Sequence, residues 1–333
     1  MKKNKKIILL LFLLFAVAVI LVSPFIGMEN ISLDTILNFN QSNIKTDIFW
    51  RIRIPRVLIA FIVGSTLAIG GMTFQAMFRN SLATPFTLGV SSGAAFGAAL
   101  YVKLGFLFTL VGITGQTIFA FAGALLSIII IYLLSKIKKG FSVGTMLLAG
   151  VAINFFFSSF ILFIQYISDF THSFRIIRWL MGGFEIVGYS EIYNTLPFII
   201  IGTIIIIFLS TELNLLTLGE DIAISRGVNV KKIKNILFLA TSLMVGAVIS
   251  VVGPIGFVGM MIPHISRLII GADHRYLVVL NIIFGGAFLV LCDTLSRTLI
   301  APAEIPVGVI TALLGGPFFI WLLIKSSNSN TTL

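Results

Sequence analysis

The stretch GPIGFVGMMIPHISRLIIGADHR, Gly253 to Arg275, sets glycines, prolines, a histidine and an arginine inside a very apolar part of the chain. Backbone in hydrocarbon must satisfy its own hydrogen bonds, so helix-breaking residues are tolerated there mainly where neighbouring protein or a water-filled cavity takes up the freed groups. The stretch therefore predicts a broken transmembrane helix. Gly253, Pro254, Gly256, Pro263 and His264 either line a path through the membrane or mark a packing kink.

Working outward, the composition assigns the whole chain to one class. Hydrophobic residues make up 58% and charged residues 11% of the 333, whereas a soluble domain carries about 25% charged residues. The chain reads as an all-α polytopic membrane protein, a single domain over residues 1–333. Apolar runs near 7–27, 57–78, 86–106, 115–135, 142–167, 191–210, 236–253, 255–271, 277–296 and 305–324 give about ten spans at ~20 residues each. The one cysteine, Cys292, lies inside a span, which excludes a disulfide framework or a cysteine metal site and reads as packing.

Lysine and arginine counted over short loops set the orientation. MKKNKK at the start predicts a cytoplasmic N-terminus, and alternation places Arg79, Ser135–Gly140, Val228–Lys234, Arg267, Arg275 and Lys325 on the same side, so the C-terminus is cytoplasmic too. Fifteen of the 23 basic residues fall inside and eight outside. The net charge of +11 thus combines inner anchors with an outer basic set, and no soluble basic domain exists to bind nucleic acid. The first span also has the basic start and apolar centre of a signal peptide, but no A-x-A site follows it.

The outer set centres on WRIRIPR, Trp50 to Arg56, with Arg297 after the ninth span. Any one arginine there serves as an interfacial anchor that snorkels to headgroups. Three in six residues read as an outer rim open to an acidic partner surface, because the guanidinium fork pairs bidentately with carboxylates. On the inner side, residues 212–234 form the longest cytoplasmic loop, with a short helical pattern from Glu220 to Arg226 that Gly227 would cap. A plain amphipathic loop is the alternative there.

The chemistry that is missing is informative. No G-x-x-x-x-G-K-[ST] loop occurs, so the chain cannot cradle nucleotide phosphates in that way, and any ATPase would be another polypeptide. H-E-x-x-H is also absent, and the three histidines, His172, His264 and His274, lie in different regions. No catalytic residue, metal site or cofactor is expected. Of the carboxylates only Asp293 falls in the interior of a span, where it can pair with Arg297 one turn away, which gives little support to an ion-coupled secondary transporter. A faint inverted likeness links Arg53–Met72 with Lys232–Gly256.

Several of these segments together resemble the FecCD-type permeases of ABC importers for iron–siderophore complexes, haem and cobalamin. The matching pieces are GPIGFVGMMIPHISR, LGEDIAISRG (Leu218 to Gly227), EIPVGVITALLGGPFF (Glu304 to Phe319), and the run from Arg53 to Leu100 with Gln75 and Asn80. Ser81 stands where the family pattern has proline. The resemblance implies a type II importer fold in the bacterial cytoplasmic membrane. It also implies a dimer of permease subunits, a cytoplasmic ATP-binding subunit and an extracytoplasmic substrate-binding protein. Arg53, Arg56 and Arg297 match positions that meet glutamates of the binding protein, while Leu218, Gly219, Glu220, Ala223, Arg226 and Gly227 match the helix that docks on the ATPase. His264 then reads as a structural residue of the P-H-x-x-R motif. The expected cargo is an iron chelate, with a ferric siderophore ahead of haem and cobalamin.

Overall fold

The computed structural model describes residues 4–27, 29, 31, 44–110, 112–137, 143–185 and 187–327. Lys2, Lys3, Lys138, Lys139 and the side chains of Lys136 and Lys325, which the orientation argument uses, lie outside the described residues.

Thirteen helices and one small hairpin make up the described residues. α1 is Lys5–Val22 and α2 is Ile44–Phe78, continuous through a π turn at Ile48–Arg53. α3 is Val90–Leu104, followed by the antiparallel pair β1 Thr109–Leu110 and β2 Ile113–Thr114, with Thr109 opposite Thr114. α4 is Gly115–Ile137, α5 Val143–Tyr166, α6 Phe170–Leu180 and α7 Ser190–Phe208. α8 is Ser210–Leu218 and α9 Glu220–Ser225. α10 Val230–Val252, α11 Val258–Ile270, α12 His274–Thr298 and α13 Val307–Ser327 complete the bundle.

Among the described residues seven helices are long and apolar enough to cross a membrane, and Val90–Leu104, Val258–Ile270 and Val307–Leu322 are shorter apolar helices. The expected ten apolar segments are all helical, but two are cut short. The run 86–106 is helical only after the turn at Thr84–Gly89, and 255–271 loses its start to the break at Gly253–Phe257. α6 had no counterpart in the reading of the sequence: it is amphipathic, and its Asp169 cap accepts from the His172 N–H.

α2 and α12 pack along their lengths as the buried centre. They close where small residues let backbones touch, the device that replaces the hydrophobic effect inside lipid. A Cβ on Gly64 would lie 2.2 Å from the Gly285 carbonyl oxygen. Ser65 Oγ adds a 2.7 Å bond to the Ile282 carbonyl beside that crossing. By contrast α1, α5 and α7 leave leucine, isoleucine and phenylalanine exposed, as helices facing lipid or another subunit do.

Candidate functional site

Three groups of residues singled out by the sequence occupy separate places. The first is the break between α10 and α11. Val252 ends α10, and its carbonyl accepts from the Gly183 N–H at 2.9 Å, while the Gly308 N–H donates to the Gly182 carbonyl at 3.2 Å. Neighbouring protein thus takes up the Val252 carbonyl that the Gly253 and Pro254 break releases, and the second bond ties α13 to the same neighbouring loop. Phe257 follows at φ 66°, a conformation costing about 1–3 kcal/mol for a side-chain-bearing residue. A cavity of about 160 Å³ lies against it, walled by Leu67, Pro85, Thr87, Gly256 and Met260.

Pro263 has no N–H, so it leaves the Gly259 carbonyl, four residues back, without its helical donor. Gln75 Nε2 supplies the replacement at 3.3 Å, and Arg267 Nη2 donates to Gln75 Oε1. The approach is possible because α2 and α11 cross on glycine: a Cβ on Gly71 would sit 1.7 Å from the Gly259 oxygen. His264 is half-buried, edge-on to Phe318 at 6.0 Å. That contact gives it packing rather than ligand surroundings.

The second group is the arginine cluster. Arg53, Arg56 and Arg297 are brought together, but they do not form the open rim expected, being only 6%, 8% and 7% exposed. Arg53 Nη1 donates to the Pro24 carbonyl at 3.0 Å and Nη2 to the Glu29 carbonyl at 2.7 Å. Arg297 Nη1 reaches the Ile26 carbonyl of the same turn at 3.1 Å. Asp293, fully buried, lies 2.9 Å from Arg56 Nε and 3.1 Å from Arg297 Nε, so the expected one-turn pair forms and Arg56 joins it. Arg56 also pairs with Glu304 at 2.9 Å. The exposed arginine of WRIRIPR is Arg51, paired with Asp47 at 3.3 Å.

Pro55 shapes the turn that carries Arg53 and Arg56. Its missing N–H releases the Arg51 carbonyl, which accepts from the Gly188 N–H at 2.8 Å, and Tyr189 Oη donates to the Trp50 carbonyl at 2.9 Å. These bonds hold the π turn against the start of α7, and Arg53 and Arg56 point inward from it.

The third group lies at the opposite end of α12. Gly219, at φ 144°, separates α8 from α9, and α9 ends as expected on Gly227. The Gly227 N–H donates to the Ile224 carbonyl at 2.9 Å and the Val228 N–H to the Ala223 carbonyl at 3.0 Å, the two bonds of a Schellman cap. Ala223 is buried beneath the helix, whereas Leu218, Ile222 and Ile224 are exposed and Arg226 faces solvent. Glu220 pairs at 2.5 Å with Lys234 of α10, whose side chain is 2% exposed.

Sequence reasoning missed Lys234, Asn214 and Asp273. Asn214 of α8 donates to Asp273 at 3.0 Å and accepts from the His274 N–H at 2.9 Å. Asp273 also pairs with Arg275, which holds its carboxyl well below the usual carboxylate range. The available signal was an aspartate just before an apolar helical run, an N-cap pattern.

Residues 12–325 match the FecCD transport family. The chain is 42% identical over 290 residues to the uncharacterized ABC transporter permease YvrB of Bacillus subtilis, covering 86% of this chain and 82% of that one. It is 38% identical over 314 residues to the hemin transport system permease HmuU of Yersinia pestis, covering 94% of each. A solved structure described as an inward-facing conformation of a metal-chelate type ABC transporter superposes with a TM-score of 0.85 at 31% identity, over 96% of this chain and 99% of that one. With the broken helix, the capped loop helix and no nucleotide-binding loop, these likenesses make the chain a membrane-spanning permease subunit of an ABC importer, and it belongs to the FecCD transport family.

Proposed function

We propose that this subunit imports an iron chelate, in the first place a ferric siderophore, in the bacterial cytoplasmic membrane with both termini cytoplasmic. An ATP-binding subunit docks on Leu218–Gly227, a binding protein delivers the chelate at the arginine end, and a second permease subunit, the same chain or a paralogue, completes the path. The observation that carries the reading is α9: a six-residue helix between two glycine joints, rooted by Ala223 and Glu220, that leaves Ile222 and Ile224 exposed beside Leu218 at the end of α8. Gly253, Pro254, Gly256, Pro263 and His264 are kept as the inner path.

Arg53, Arg56 and Arg297 remain the proposed docking ground on the terms their burial sets. An acidic lobe gains Arg56 by displacing Glu304, whose side chain is 51% exposed. Haem is the second reading, favoured over cobalamin by the longer match: the hemin permease aligns with 94% of this chain and the vitamin B12 permease of Salmonella typhi with 84%, at 38% and 39% identity.

ATP-dependent uptake by the permease, ATPase and binding protein in proteoliposomes tests this with three probes: a ferric hydroxamate siderophore, haemin and cobalamin. Siderophore uptake that Ile222→Asp abolishes supports the proposal. Haemin uptake alone moves it to the second reading, and cobalamin uptake alone refutes the iron chelate.

A further inference from the structure

Asn214 occupies an unusual place: its one amide group joins the loop segment α8–α9 to the first turn of α12. Oδ1 accepts from the backbone N–H of His274 at 2.9 Å and from His274 Nδ1 at 2.7 Å, and Nδ2 donates to Asp273 Oδ1 at 3.0 Å. The backbone N–H can only donate, so it fixes Oδ1 on that side and leaves Nδ2 facing the carboxylate. It follows that His274 carries its proton on Nδ1. Three hydrogen bonds, one to an ionised group, would have to break for α8 to leave α12.

From that joint α12 runs to Thr298 with no proline inside it. His274 and Asp293 stand 19 positions apart on it, about 30 Å at helical rise. Asp293 is the buried carboxylate between Arg56 and Arg297. The loop segment has a second root, Glu220 on Lys234, but that leads into α10, which breaks at Gly253. We infer that Asn214 is the positioning residue through which displacement of the α8–α9 segment reaches α12 and the arginine cluster at its far end. This rests on the reading of α9 as the ATPase contact.

The test uses the complete permease–ATPase complex with Cys292 replaced by alanine and nitroxides attached after A303C and L107C, two exposed positions. Asn214→Asp sets a carboxylate against Asp273. Adding Asp273→Asn restores a donor facing an acceptor, with the roles exchanged and the contact to the His274 N–H kept, while the bonds that Asp273 Oδ1 accepts from Arg275 are given up.

In the parent complex, trapping with ATP and vanadate should shift the nitroxide distance. N214D should abolish that shift and lower the substrate moved per ATP about tenfold, as loss of a charge-assisted hydrogen bond implies, while hydrolysis continues. The double variant should restore both. A residue that only held the fold would change thermal stability and leave the distance shift in place. The inference is overturned if N214D shifts like the parent, if the double variant stays unshifted, or if the parent itself does not move on trapping. Ile222→Asp separates the two ideas: an ATPase that stays bound to I222D refutes the coupling reading, whatever Asn214 does.

Discussion

Arg56 and Glu304 meet at 2.9 Å, the guanidinium buried and the carboxylate half exposed. Glu304 thus fills the outward side of an arginine whose inward side Asp293 holds. Glu304→Gln is expected to leave thermal stability within about 1 kcal/mol, because Asp293 still pairs the guanidinium and the glutamine carbonyl can still accept from it, and to tighten capture of an acidic binding protein. Surface-plasmon titration of the two complexes decides it, and weaker capture by the variant would rule out displacement.

Asp293→Asn should behave in the opposite way. Removing one partner of a buried pair leaves the other charge uncompensated, at about 3–5 kcal/mol, and here two arginines depend on the same carboxylate. A marked drop in the unfolding temperature of the purified subunit is expected, far larger than for E304Q.

Gln75→Leu withdraws the donor that replaces the missing Pro263 N–H. An unsatisfied buried carbonyl costs about 1–3 kcal/mol, so the variant should unfold at lower temperature and exchange its α11 amides faster. Hydrogen exchange localised to Val258–Ile270 is the measurement.

Gly227 sits at φ 82° with nothing near its missing side chain, so the constraint there is backbone conformation and not space. Alanine in that region costs about 1–2 kcal/mol, whereas asparagine enters it more readily. Gly227→Ala should therefore reduce ATP-driven uptake while Gly227→Asn keeps most of it. Equal loss in both would show that α9 depends on glycine for another reason.

Asp273 gives a pH expectation with a definite sign. Hydrogen bonds from Arg275 hold its folded value below the unfolded one. Its contribution is present above the unfolded carboxylate range and is lost as pH falls through the folded value. Between pH 5 and pH 8 the gap in stability between wild type and Asp273→Asn should be constant, since both limits lie well above a free carboxylate at about 3.9. In acid the two unfolding curves should converge.

Much of this was legible because it is local. The apolar runs set the helices, the Gly253–Pro254 pair located the break, Gly227 marked the end of α9, and Asp293 and Arg297 lie one turn apart. The arginines were read as an open rim because nothing nearby in sequence shows what covers them. Arg56 finds Asp293 from 237 positions away, and Arg53 and Arg297 are capped by carbonyls of the turn after α1. Asn214 and Lys234 were passed over for a similar reason. One polar side chain in TELNLL and one lysine among three in VKKIK gain their meaning only from the helix packed opposite.

The contact between Gly64 and Gly285 falls close to the midpoint of α12, 11 positions from His274 and 8 from Asp293. A Cβ at either position would fall within 3 Å of the opposite backbone, so even alanine at Gly64 or Gly285 has to wedge the two central helices apart along the face they share, and the crossing has no room for any side chain.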